Sequence, residues 1–214
     1  MTDRQGVFIT LEGGEGSGKT TILKGIIEFL SDKYEVFSTR EPGGSRIAEQ
    51  IREVILNTEN TDMDELTEAL LYAASRSQHL KEKVLPNLKE GKVVICDRFL
   101  DSSLAYQGYA RGIGIEKVLK VNEFAVDNCM PDLTIYIDLD PNIGLSRIKQ
   151  NRRELNRLDM EKIQFHQKVR EGYLIVAEMF PERIVTIDGD RTVEEILDEV
   201  NKIIINFIQK KRTL

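Results

Sequence analysis

Cysteine is scarce in this chain, with two in 214 residues, and tryptophan is absent. Cys96 and Cys129 are too few for a disulfide framework and have no metal-ligand spacing. They predict two buried thiols acting as small apolar groups in a reducing cytoplasm. Proline is limited to five residues, and no Pro/Ser-rich linker, low-complexity tract or internal repeat divides the chain. The expectation is one domain over residues 1–214. No apolar run approaches the ~18 residues of a membrane span. The polar residues 1–6 lead directly into Val7-Phe8-Ile9, so no signal peptide is expected. Positive charge is also short: 30 Lys and Arg against 36 Asp and Glu give a net charge of −6. That excludes the broad basic face of a protein coating a nucleic-acid polymer, while leaving room for a local anion site.

What is present is a regular alternation. Five short runs rich in Val and Ile occupy residues 7–11, 35–39, 92–96, 133–137 and 183–187. Four are nearly continuous in apolarity, which fits strands covered on both faces. Helical patterns lie between them, so the fold class is α/β, built from βαβ crossovers with a parallel sheet. After Gly18, residues Ile22, Leu23, Ile26, Ile27 and Leu30 carry the helical period. Residues 64–85 place Leu66, Leu70, Ala73, Ser77, Leu80 and Val84 on one stripe, and Ala69, Tyr72, Arg76 and His79 on another. Further helices are expected over 159–180 and 192–208. One basic island, Arg147, Lys149, Arg152, Arg153 and Arg157, reads as a mobile surface loop. The acidic excess falls on runs such as 62–68 and 194–199, read as solvated.

Gly13-Gly14-Glu15-Gly16-Ser17-Gly18-Lys19-Thr20 matches the phosphate-loop pattern, directly after the first strand and opening the first helix. Glycines let the backbone wrap closely and aim successive N–H groups at phosphate oxygens. The helix N-terminus adds partial positive charge. Lys19 supplies a point charge to the β- and γ-phosphates, and the Thr20 hydroxyl is a ligand for Mg²⁺. At average residue usage a chance match arises on the order of once in a hundred such chains. The nucleotide site is therefore assigned to residues 13–21, with Thr21 as its last member.

The third run ends in Asp97-Arg98-Phe99, an apolar strand terminating in a carboxylate that can stand near Mg²⁺ or its waters. Ile137-Asp138 and Ile187-Asp188 have the same form, so a strand-end cap competes with the metal reading. Arg98 distinguishes the first, because a cation at a strand's carboxyl end faces the ligand crevice. Arg40-Glu41-Pro42-Gly43-Gly44 follows the second strand, with Arg52 on the next helix. A hydroxyl acceptor would need a carboxylate base. A phosphate monoester, with a second pKa of about 6, is mostly dianionic at pH 7 and needs none. Its difficulty is repulsion between two polyanions, which Arg98, Arg40, Arg52, Lys19 and the basic island relieve. The residues favour a nucleoside-monophosphate kinase. Alternatives are another nucleotide or deoxynucleoside kinase, a non-enzymatic ATP-binding assembly protein, or a GTPase switch. The last is opposed by the lack of an N-K-x-D guanine reader: Asn201-Lys202 runs on into Ile203-Ile204.

Four stretches resemble the bacterial type of thymidylate kinase: residues 13–21; Thr39-Arg40-Glu41-Pro42-Gly43-Gly44; Asp97-Arg98-Phe99 with Asp101-Ser102-Ser103-Leu104-Ala105-Tyr106-Gln107-Gly108; and Pro131-Asp132-Leu133-Thr134-Ile135-Tyr136. The resemblance covers roughly residues 7–180. It implies the reaction ATP + dTMP → ADP + dTDP with Mg²⁺, a single P-loop domain with a five-stranded parallel sheet and helices on both faces, and a homodimer. It implies that Arg98 grips the dTMP phosphate with help from Arg40, and that Glu41 and Asp97 hold Mg²⁺, its waters or the arginines. Arg52 would stand near the sugar–phosphate side. Tyr72, where the family often has Phe, would stack on thymine, and Arg76 would bond a base carbonyl. Ser103 and Gln107 would read the remaining base edge. Tyr106 would crowd the 2′ position, and Glu15 would approach the sugar hydroxyl or the Mg²⁺ network. With no arginine in the phosphate loop, the resemblance moves the catalytic cation to a short basic lid at about 147–159. There Arg152 or Arg153 would meet the transferring phosphoryl group and Arg157 would anchor. The competing readings are half-buried core aromatics for Tyr72 and Tyr106, and helix-surface polars for Ser103 and Gln107. His79 and His166 read as packing or surface residues.

Overall fold

The alternating runs pair into one parallel sheet, described here from a computed structural model covering residues 5–150 and 156–213. Strands β1 (Val7–Gly13), β2 (Val36–Arg40), β3 (Val93–Asp97), β4 (Leu133–Asp138) and β5 (Ile184–Asp188) lie in the order β2-β3-β1-β4-β5. Every neighbouring pair is parallel, so Gly13, Arg40 and Asp97 all end at one edge, where open α/β sheets bind ligands. The register sets Asp97 opposite both Leu11 and Arg40.

Both faces are covered, which is why the strands carry so little polarity. Val7, Ile9 and Leu11 pack with Ile22, Ile26 and Leu30 of α1 (Lys19–Ser31) and with Ile196, Val200, Ile204 and Ile208 of α9 (Val193–Thr213). Phe8 points the other way, into a cluster with Val94, Cys96, Phe99 and Val169, Tyr173 and Val176 of α8 (Ile163–Met179). By the period-two pleat, Thr10 and Glu12 share that second face. Around the sheet run α2 (Arg46–Leu56), α3 (Glu65–His79), α4 (Leu85–Lys89), α5 (Leu100–Ser103), α6 (Ile115–Val126) and α7 (Pro141–Gln150). Among the described residues no helix is long and apolar enough to cross a membrane.

Three expectations change. The helix over 64–85 is not continuous: α3 gives way to a π-helical stretch, Leu80–Val84, before α4. Its expected apolar stripe is not the inner face at the N-terminal end, where Leu66 and Leu70 are 53% and 50% exposed. Glu68, Tyr72, Arg76 and His79 are buried instead, because Glu68, Arg76 and His79 each meet a polar partner on a neighbouring element. Glu68 thus leaves the solvated acidic run. The basic island also divides: Arg147 and Lys149 complete α7, and Arg157 is buried, while residues 151–155 lie outside the described residues.

Candidate active site

Between β1 and α1 the chain folds into a tight loop whose Gly16 has φ +70°, a left-handed conformation that disfavours any side chain. A Cβ there would also overlap the Gly144 carbonyl of α7, so the two backbones touch. α1 begins without a side-chain cap, leaving its first N–H groups free to meet an anion. Lys19 Nζ folds back onto the carbonyls of Gly13 (2.9 Å) and Gly14 (2.8 Å). Burial, and then the nearby Arg98, push its ammonium down to about 8.

Arg98 follows β3 with φ +64°. Its Nη1 donates to Gly13 O (2.8 Å), Tyr173 OH (3.1 Å) and Ser102 Oγ (3.3 Å), and its Nη2 to Glu15 Oε1 (2.7 Å). The guanidinium also lies over the Tyr106 ring, whose hydroxyl donates to Glu15 at 3.1 Å. Arg40 is held by Glu49 (2.9 Å), and Arg52 donates to the Pro42 carbonyl (2.8 Å). Burial, and then Arg40, hold Arg52 below its ordinary pKa, with Arg98 adding to the effect. Arg40 and Arg98 both repel Arg52 across a shared space, which marks a site for an anion.

Behind them lies a buried network. Arg76 donates from Nε to Glu41 Oε2 (2.8 Å), from Nη2 to Phe99 O (2.9 Å) and Ser103 Oγ (3.1 Å), and from Nη1 to Asn122 Oδ1. Four of its five N–H groups are engaged, leaving one Nη1 hydrogen. His79 joins Glu41 Oε1 (2.9 Å) to Thr39 Oγ1 (2.7 Å).

The strand-end acids separate on their contacts. Asp138 accepts from Arg170 (2.7 Å) and Asp188 from the Asp190 N–H (2.9 Å), as caps do. Asp97 Oδ1 is buried without a hydrogen-bond partner, and Asp97 lines the same cavity as Thr20. An orphaned carboxylate oxygen that shares a cavity with a hydroxyl suits a hard cation or its waters. Among the described residues no cluster of three or more His, Cys, Asp or Glu could hold a metal alone, so phosphates and water would complete its shell.

These groups surround one cavity of about 610 Å³. A family model described as thymidylate kinase matches residues 11–200. The thymidylate kinase of Clostridium novyi (strain NT) is 62% identical over 198 residues, spanning 92% of this chain and 97% of that protein. That of Bacillus velezensis is 58% identical over 207 residues, 96% and 98% of the two chains. The crystal structure of thymidylate kinase from Ehrlichia chaffeensis aligns with a TM-score of 0.76 at 34% identity, covering 92% of this chain and 97% of that one. This chain belongs to the thymidylate kinase family.

Set against the thymidylate kinase expectations, Glu15, Gly16, Ser17, Gly18, Lys19, Thr20 and Thr21 line the cavity, as do Arg40, Glu41, Arg52, Tyr72, Arg76, Asp97, Arg98, Tyr106 and Gln107. Gly13 and Gly14 sit beneath as acceptors for Lys19. Ser103 does not line it: its hydroxyl accepts from Arg76. Gln107 does, but its amide already donates to Glu68 (2.8 Å), and it stands on a π-helical stretch, Leu104–Ala110, rather than an α-helix. Arg157 is no free cation. It donates to Glu68 and, from Nε, to the Ile55 carbonyl (2.9 Å), tying the chain after residue 155 to α2 and α3. Arg152 and Arg153 lie outside the described residues.

Sequence reading missed Glu12, Glu68, Ser102, Asn122 and Tyr173, and took His79 for packing. Glu12 left one usable signal, an acid ending an apolar run just before the phosphate loop. The others look like ordinary helix residues until tertiary partners are seen.

Proposed function

We propose that this chain transfers the γ-phosphoryl group of ATP to the phosphate of dTMP, giving ADP and dTDP. The observation that carries the reading is one cavity lined both by the phosphate cradle and by Arg98, Arg40 and Arg52. ATP phosphates would take the α1 N–H groups and draw Lys19 off the Gly13 and Gly14 carbonyls. Arg98 and Arg40 would hold the acceptor phosphate, and Arg52 the sugar–phosphate side. The acceptor is already an anion, so no protein base is needed; the work is alignment and neutralisation of charge. Tyr72 would stack on thymine, the remaining Arg76 N–H would meet a base carbonyl, and Gln107 would face the base edge. Tyr106, fixed by Glu15, would crowd a 2′-hydroxyl.

Thr20 and Asp97 would hold Mg²⁺ directly or through water. When bound, the ion neutralises charge on the β- and γ-phosphates. Glu41 serves the site by holding Arg76. The segment at about 147–159 is proposed as the lid of a one-domain enzyme. Arg152 or Arg153 would reach the phosphoryl group, and the Arg157–Glu68 pair would anchor the segment. Two buried free thiols fit a cytoplasmic setting. A homodimer is also proposed, with exposed apolar side chains on two packed helices as candidate contacts: Phe124 on α6, 93% exposed, and Leu66 and Leu70 on α3. Large apolar side chains left exposed on adjoining helices fit a face covered by a second copy.

The test is ADP release from ATP and Mg²⁺ with dTMP present. Turnover that needs dTMP and disappears in Lys19→Ala is expected. ATP consumption indifferent to dTMP contradicts the reading.

A further inference from the structure

Glu12 takes no part in the chemistry above, yet it occupies the central strand and is 0% exposed. Its partners are all neutral: the Phe99 N–H donates to Oε1 (2.7 Å), and Ser102 Oγ (2.5 Å) and Tyr173 OH (3.0 Å) to Oε2. Burial, and then Asp101 nearby, push its carboxyl up to about 7, against the pull of Ser102, Arg98 and the Phe99 N–H. A buried carboxylate without a contacting cation destabilises a sheet that an apolar residue would suit better.

What it holds is the turn that carries Arg98. The left-handed backbone at Arg98 is strained for a residue with a Cβ. The Arg98 N–H bonds the Leu11 carbonyl (2.9 Å) and the next N–H bonds Glu12, so both peptides are fastened to β1. The hydroxyls of Ser102 and Tyr173 also accept from Arg98 Nη1. Each hydroxyl has one hydrogen. With the ionised carboxylate, which prevails above about pH 7, drawing those hydrogens, directly or through the 2.7 Å Ser102–Tyr173 contact, their lone pairs are left facing the guanidinium.

We propose that Glu12 is a positioning residue for the acceptor phosphate: it fastens the Arg98 turn and orients the Ser102 and Tyr173 hydroxyls so that Arg98 is held toward the phosphate loop. This rests on the reading of Arg98 as the phosphate grip.

Glu12→Gln is nearly isosteric. Its oxygen can keep the Phe99 N–H, but its NH₂ then meets the two hydroxyls and turns their hydrogens toward Arg98. The expected result is a rise of about tenfold in KM for dTMP, the scale of one hydrogen bond to a charged group. KM for ATP and kcat should each stay within about twofold, and the melting temperature near that of the parent. Tyr173→Phe should raise KM for dTMP in the same direction. Combining it with Glu12→Gln should add less than the sum, since the two act through one network. If Glu12→Gln does not fold, Tyr173→Phe and Ser102→Ala carry the comparison. A selective rise in KM for dTMP supports the role; no rise, or an equal rise for both substrates, overturns it. Arg98→Ala separates the two layers. If it leaves KM for dTMP unchanged, the phosphate-grip reading fails and the role of Glu12 with it. If it raises KM while Glu12→Gln does not, only the role of Glu12 fails.

Discussion

Lys19 is folded back on its own loop, bonded to two carbonyls and depressed to about 8 by burial. Below that pH it is a cation; above it the charge is lost and with it the attraction for the β- and γ-phosphates. The expected outcome is a kcat/KM for ATP that falls as pH rises through about 8, since that ratio reports the free enzyme. A profile flat to pH 10 would contradict the assignment. The residues legible from sequence were those set by a motif or by a strand end: Lys19, Thr20, Arg98, Arg40 and Asp97. The residues that orient them were not. Arg76 was assigned to a base carbonyl, yet four of its N–H groups serve Glu41, Phe99, Ser103 and Asn122, partners from three separate parts of the chain. No local spacing encodes such a meeting.

At the scale of elements, the sheet was readable because buried parallel strands leave a compact run of Val and Ile, and the five strands begin within one residue of their expected starts. The inner face of α3 was misread because its polar residues are satisfied by tertiary partners, so hydropathy pointed outward. Two contacts between elements give predictions. Gly144 of α7 abuts the Glu15 carbonyl, so Gly144→Ala must push the phosphate loop aside. Weaker ATP binding by titration calorimetry is expected, on the order of tenfold, with dTMP binding little changed. Arg157→Ala removes a buried partner of Glu68, leaving Arg111 at 3.4 Å as the nearest cation. A loss of about 3 kcal/mol in denaturant unfolding is expected; no loss would show the pair to be idle.

For the whole molecule, the net charge of −6 describes the coat and not the site. Cations are concentrated where three strands end, while acids such as Glu194 and Glu195 lie on the exposed side of α9. Phe124→Asp places a charge on the exposed apolar face of α6. Sedimentation should show the parent as a dimer and the variant shifted toward monomer; a monomeric parent would remove the dimer. The most direct measurement concerns the acceptor. Equimolar dTMP, dUMP, dCMP, UMP and thymidine are offered together with ATP and Mg²⁺, and the products are separated. The expected result is dTDP as the dominant product, with thymidine untouched. Preferential conversion of thymidine to dTMP, or equal use of the monophosphates, would contradict a cavity built for the phosphate and base of dTMP.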